Sequence, residues 1–206
     1  MKMETTQKPA ILLYTEQTPN PESLKFVSNR ILYKGIAEFK DAESCKGWSI
    51  LAEALFGLEY VKSVYISNNF VTITKKAEFD WHEIMIPAKE FIRNFIIEHV
   101  EEDLVHAGYE AHRQAVEKDQ NSASYSEADQ DTVTRIKEII DHYVKPAVEM
   151  DGGNIEFKSF QDGVVTVYMQ GSCSGCPSST VTLKAGIEGL MKRMLPSVKE
   201  VVAEAQ

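Results

Sequence analysis

Between Glu101 and Glu127 the chain loses its hydrophobic periodicity while Glu, Gln, Ser, Ala and Asp accumulate, most densely in the run EKDQNSASYSEADQ. Such a stretch has too little apolar surface to build a core, so what lies on either side must fold around separate cores. Charge marks the same division. Residues 1–97 carry 12 basic and 12 acidic side chains, residues 98–127 carry 2 and 8, and residues 128–206 carry 8 and 11. The reading is an α+β chain made of two small mixed domains, residues 8–102 and 128–206. They are joined by a flexible acidic linker, residues 103–127, helical in its first half and long enough to let the two move independently.

The first domain opens on the apolar run Ala10 to Tyr14, which ends at the turn Thr18 to Pro21 and reads as a strand. Leu24, Phe26, Val27, Ile31 and Leu32 suggest a second. Ile50, Leu51, Ala54 and Leu55 recur at helical spacing before Gly57, a natural stop. Val64 and Ile66 alternate before Asn68 and Asn69, and Val71 and Ile73 after them, the pattern of a hairpin whose turn uses Asn at positive φ. Pro87 is expected to open a longer helix with Ala88, Phe91, Ile92, Phe95, Ile96 and Val100 on its apolar face.

In the second domain Asp131 is the expected cap of a helix with Val133, Ile136, Ile140, Tyr143 and Val144 on one face, and Pro146 is expected to bend or end it. Ile155 and Phe157, the turn Asp162-Gly163, and then Val165, Val167 and Met169 make a hairpin. GSCSGCPSS follows, then a helix carrying Val181, Leu183, Ile187, Leu190, Met191 and Met194. Pro196 halts it, and Val198, Val201 and Val202 suggest an edge strand. The aromatic and methionine positions, Trp48, Trp81, Phe91, Phe95, Met191 and Met194, read as packing.

Several function classes are set aside by composition. A net charge of -9 disfavours a general nucleic-acid binder, which needs clustered Lys and Arg. No apolar stretch approaches the roughly 20 residues that cross a bilayer. Three cysteines are too few for an extracellular disulfide framework, and the start MKMETTQKPA lacks signal-peptide and transit-peptide character. These features read as cytoplasmic, although a processed organellar chain would present the same start.

The chemistry lies in Cys173-Ser174-Gly175-Cys176-Pro177. The pair stands between the end of a strand and the start of a helix, where unpaired N–H groups and the helix dipole favour thiolates. Gly171 and Gly175 let backbone amides approach sulfur, and Pro177 suits a first helical position. Four uses compete: a plain disulfide, a thiol-disulfide redox pair, a zinc site and an iron-sulfur cluster. Zinc wants four ligands, and the lone histidine of this half, His142, reads as a surface or core-edge residue. A cluster commonly wants four thiolates, which two copies of the loop could supply across a two-fold axis. Cys45, in the polar stretch DAESCKG, reads as a tolerated small residue.

MDGGNIEF at Met150 to Phe157, GSCSGCPSS at Gly171 to Ser179 and TLKAGIE at Thr182 to Glu188 closely resemble the NifU C-terminal domain. YTEQTPNPESLKF at Tyr14 to Phe26 resembles the Nfu N-terminal domain. Ser172 stands where many relatives have alanine. The resemblance implies a scaffold or carrier, not a turnover enzyme, that binds a [4Fe-4S] cluster through Cys173 and Cys176 of each of two subunits. It implies a homodimer when cluster-bound and a monomer when apo, with apo iron-sulfur proteins and cluster-assembly factors as partners. No nucleic acid or membrane partner is expected. The first domain is expected to recognise clients or other assembly factors. The alternative is a thiol-disulfide oxidoreductase using the same two sulfurs.

Overall fold

A computed structural model describes residues 10–120, 127–174 and 177–205. Its first half is a five-stranded antiparallel sheet in the order β1-β2-β5-β4-β3, from β1 (Leu13–Gln17), β2 (Ser23–Ser28), β3 (Tyr33–Phe39), β4 (Val61–Asn68) and β5 (Phe70–Lys75). Helices α1 (Ile50–Phe56) and α2 (Trp81–Glu98) supply the other side of its core. The second half is a three-stranded sheet in the order β6-β7-β8, from β6 (Gly153–Gln161), β7 (Val164–Gly171) and β8 (Glu200–Ala205). Its core includes side chains of α4 (Glu127–Ile139), α5 (Lys145–Met150) and α6 (Pro177–Met194). The α+β reading holds. Among the described residues no helix is long and apolar enough to cross a membrane.

Both hairpins close as their turn residues dictate. Asn68 has φ 47, and Asp162 and Gly163 have φ 52 and 88, the left-handed values that two-residue hairpin turns demand. Helix α1 begins at Ser49, whose buried hydroxyl accepts from the Ala52 N–H at 3.1 Å and donates to the Leu104 carbonyl at 2.8 Å. Ser49→Ala strands both groups, so an expected loss of about 1–2 kcal/mol should appear in urea denaturation.

Elsewhere the structure corrects the sequence reading. Strand β3 was not expected: Lys34 and Gly35 interrupt its alternation, and its register on β4 shifts between Tyr33 and Ile36. Residues 29–32 reach it by crossing the tip of the β4–β5 hairpin, where the Leu32 N–H donates to the Asn68 carbonyl at 2.6 Å. Helix α2 begins at Asp80, which caps the His82 N–H at 2.8 Å, and Pro87 lies inside it. The ring faces solvent, where water can satisfy the carbonyl left without its donor. Asp131 likewise lies inside α4 instead of capping it.

Pro146 does not end its helix either. A π-helical turn, Ile140–Val144, precedes it, with the Lys145 N–H bonded to the Ile140 carbonyl. The wider turn makes room for the ring, and the helix continues to Met150. Its extra residue carries Tyr143 off the apolar stripe, to 61% exposure.

Composition marks residues 103–127 as linker, yet Leu104, Val105 and Tyr109 are buried in the first core, and α3 (Tyr109–Gln120) lies against β3. From α3, Arg113 pairs with Glu110 at 2.8 Å and reaches the second sheet, holding both carboxylate oxygens of Glu156 at 3.0 Å. The two halves therefore meet through specific side chains in addition to their connecting chain.

Candidate metal centre

The thiol loop begins where β6 and β7 pair through two glycines, Gly153 opposite Gly171. Gly152 and Gly171 have φ 80 and 68, conformations that L side chains rarely adopt. The reversal after β7 brings the Ser172 N–H to the Gly152 carbonyl at 3.2 Å and the Ser174 N–H to the Gly171 carbonyl at 3.1 Å. The Ser172 hydroxyl donates to the Asp151 carbonyl at 2.5 Å and lies 3.7 Å from Cys173 Sγ. Pro177 is the first residue of α6, as its fixed φ suits. Gly175 and Cys176 lie outside the described residues.

Cys173 is only 3% exposed and packs within the second core. Burial pushes its thiol up to about 11; the Ser172 hydroxyl opposes the shift and the Asp151 charge adds to it. The strand-to-helix junction is expected to favour a thiolate, and burial of the sulfur among the apolar side chains of the second core opposes it. A cavity of about 570 Å³ adjoins it, lined by Tyr143, Ala147, Asp151, Leu183 and Ile187 among others.

The remaining candidates lie apart. Cys45 is buried in the first core with its Sγ–H directed at the Ala42 carbonyl, 3.3 Å away. His142 is exposed and bonds the Glu138 carbonyl through Nδ1 at 2.8 Å. Among the described residues no group of three or more His, Cys, Asp or Glu side chains could hold a metal ion.

The site also includes residues that sequence reasoning missed. Along β3, Ala37 and Phe39 point into the first core, so Glu38 points to the opposite face of the sheet, toward the thiol loop. Its Oε1 accepts from the Gly171 N–H at 2.7 Å and lies 3.3 Å from the Ser174 hydroxyl, whose single proton also has the nearer Gly171 carbonyl at 2.9 Å. Burial pushes this carboxyl up to about 7, against the pull of those two donors and of Lys40. On the same face Thr72 donates to the Gly152 carbonyl at 3.0 Å. Lys25 Nζ donates to the Met150 carbonyl at 3.0 Å while pairing with Glu16 at 3.0 Å and lying 4.5 Å from the Phe70 ring centre. The one available signal was a lone acidic residue between two apolar ones, and it lay in a strand that was not recognised.

Fold and site together define a class: an α+β protein with two sheets that carries a CxxC loop at a strand-to-helix junction. Residues 13–101 match the family described as scaffold protein Nfu/NifU N terminal, and residues 136–202 match the NifU-like domain. The chain is 35% identical over 201 residues to NifU-like protein 4, mitochondrial, of Arabidopsis thaliana, spanning 96% of this chain and 68% of that protein. It is 34% identical over 192 residues to the human NFU1 iron-sulfur cluster scaffold homolog, mitochondrial, spanning 93% and 71%. The homologue of that name from Drosophila willistoni is 37% identical over 195 residues, and there the chain spans 94% of itself but 64% of the relative's length. The chain belongs to the Nfu/NifU family.

These names overturn the cytoplasmic reading, since all three relatives are mitochondrial by name. The physical reason is that an organellar address is a removable segment, and the composition of folded domains does not carry it.

Proposed function

We propose that this protein is an iron-sulfur cluster scaffold or carrier. Its cargo is a [4Fe-4S] cluster held between two copies of the chain by Cys173 and Cys176 of each, and delivered to apo-proteins. The observation that carries this reading is the loop at the end of β7. Cys173 stands on a short turn built from Gly171 and Ser172, immediately before the N-terminus of α6, in a chain whose relatives are named as iron-sulfur scaffolds.

Two thiols per chain supply half of the usual four-thiolate set, so the second copy completes it. Delivery is then ligand exchange. A thiolate of the acceptor forms a bond to iron as one Cys173 or Cys176 bond to iron breaks, and the released sulfur takes a proton. No bond in a substrate is made or broken catalytically, so the proposed role is that of a carrier and not an enzyme.

Anaerobic reconstitution with iron and sulfide tests the proposal. About four irons and four sulfides per dimer are expected, with a visible charge-transfer band. Cys173→Ser and Cys176→Ser should each abolish both. Colourless, monomeric protein that cycles between dithiol and disulfide would establish the alternative.

A further inference from the structure

The first sheet does more than sit beside the thiol loop. Its helix-free face grips both chain segments that form the loop's base. Thr72 and Lys25 hold the segment before β6 through the Gly152 and Met150 carbonyls, and Glu38 holds the end of β7 through the Gly171 N–H. Glu38 is the only one of the three that brackets a cysteine. One oxygen, Oε1, accepts from the N–H of Gly171, two residues before Cys173, and is within 3.3 Å of the hydroxyl of Ser174, the residue after it, which divides its proton between Glu38 and the Gly171 carbonyl at 2.9 Å. The bond at Gly171 and the contact at Ser174 hold the backbone on both flanks of the cysteine. In the arrangement so fixed, Cys173 is turned into the second core and almost wholly covered.

A sulfur in that position is badly placed to share a cluster with a second chain. The partner's sulfurs have to reach the same few atoms, so each contributing sulfur must stand at the surface of its own subunit. We propose that Glu38 is a positioning residue that latches the cysteine loop closed against the first sheet, and that breaking this contact is the step that presents Cys173 to a second copy. The first domain thereby gates the site on the second. This inference rests on the reading of Cys173 as a cluster ligand, but it concerns access to the sulfur and can be measured without iron.

The experiment uses the full-length chain, reduced and iron-free, pulsed with iodoacetamide and mapped by peptide mass spectrometry. Cys45, buried in the first core and held by the Ala42 carbonyl, is the internal standard for unfolding. Glu38→Ala removes the acceptor. Glu38→Asp keeps the charge but withdraws it by one methylene. Both should label Cys173 about tenfold faster than the unaltered chain with Cys45 unchanged, the size expected from losing one to two net hydrogen bonds. Glu38→Gln keeps the accepting oxygen and sheds the buried charge, so its labelling should match the unaltered chain or fall below it.

Unchanged Cys173 labelling in both the Ala and Asp variants overturns the latch. Equal acceleration of Cys45 and Cys173 in both also overturns it, because Glu38 is then a general strut. Iron and sulfide uptake, followed separately, should be faster in Glu38→Ala. Failure of the unaltered chain to take up iron would defeat the carrier reading while leaving the alkylation result intact.

Discussion

Gly171→Ala is expected to destabilise the chain by about 3 kcal/mol or more, and to disturb the thiol loop before any cysteine is touched. Two effects add. The residue sits at φ 68, where an L side chain costs about 1–2 kcal/mol. A methyl there would also lie 2.7 Å from the Gly152 carbonyl oxygen, 2.8 Å from Gly153 Cα and 3.1 Å from Tyr65 Cγ. Two of these are backbone atoms in a paired strand end, so relief requires the strands or the two halves to part, and overpacking of this kind costs roughly 1–3 kcal/mol. Urea denaturation gives the first number, and amide exchange at Ser172 and Ser174 reports the loop. A loss under about 1 kcal/mol with both amides still protected would show that the close approach of β6 and β7 is not what shapes the site.

Phe39→Ala should cost still more, about 3–5 kcal/mol, as expected for removing a wholly buried aromatic side chain. Phe39 is 0% exposed, and its ring meets Tyr109 with centroids 5.1 Å apart. The Tyr109 hydroxyl in turn donates to the Glu38 carbonyl at 3.0 Å. The substitution therefore empties part of the first core and loosens the strand residue that reaches the thiol loop. A fall of about 10 °C in thermal midpoint is expected if unfolding involves the whole chain. Tyr14→Ala is the control. Tyr14 is 52% exposed on β1, and its loss should stay within about 0.5 kcal/mol. Comparable effects at the two positions would mean that β3 does not stand where the structure puts it.

Much of the fold is legible before any coordinates. The Asn68-Asn69 and Asp162-Gly163 turns, the stop at Gly57, and the helix from Pro177 all depend on backbone preferences within a few residues, which a short window of sequence contains. The errors share a cause. Strand β3 was hidden because Lys34, Gly35 and Glu38 weaken its alternation, while its pairing to β4 comes from residues some thirty positions later. The start of α2 was misplaced because Pro87 is a strong local signal, yet the cap at Asp80 and the solvent-facing position of the ring decide the outcome. Ordinary helical spacing puts Tyr143 on the apolar face, whereas a π-turn spans Ile140–Val144 and Tyr143 is exposed.

The candidate site divides in the same way. Cys173 and Cys176 with their flanking glycines and proline stand out in the chain itself, because a CxxC spacing and a strand-to-helix junction are short-range facts. Glu38 and the burial of the Cys173 sulfur do not. The bond from Glu38 to Gly171 joins residues 133 positions apart. Thus sequence alone determined the CxxC spacing and the kind of local backbone that carries it, since both are properties of neighbouring residues. Only the tertiary structure decided that the first sheet reaches across to that loop and that the Cys173 sulfur is buried, because both depend on which distant surfaces exclude water from the same few atoms.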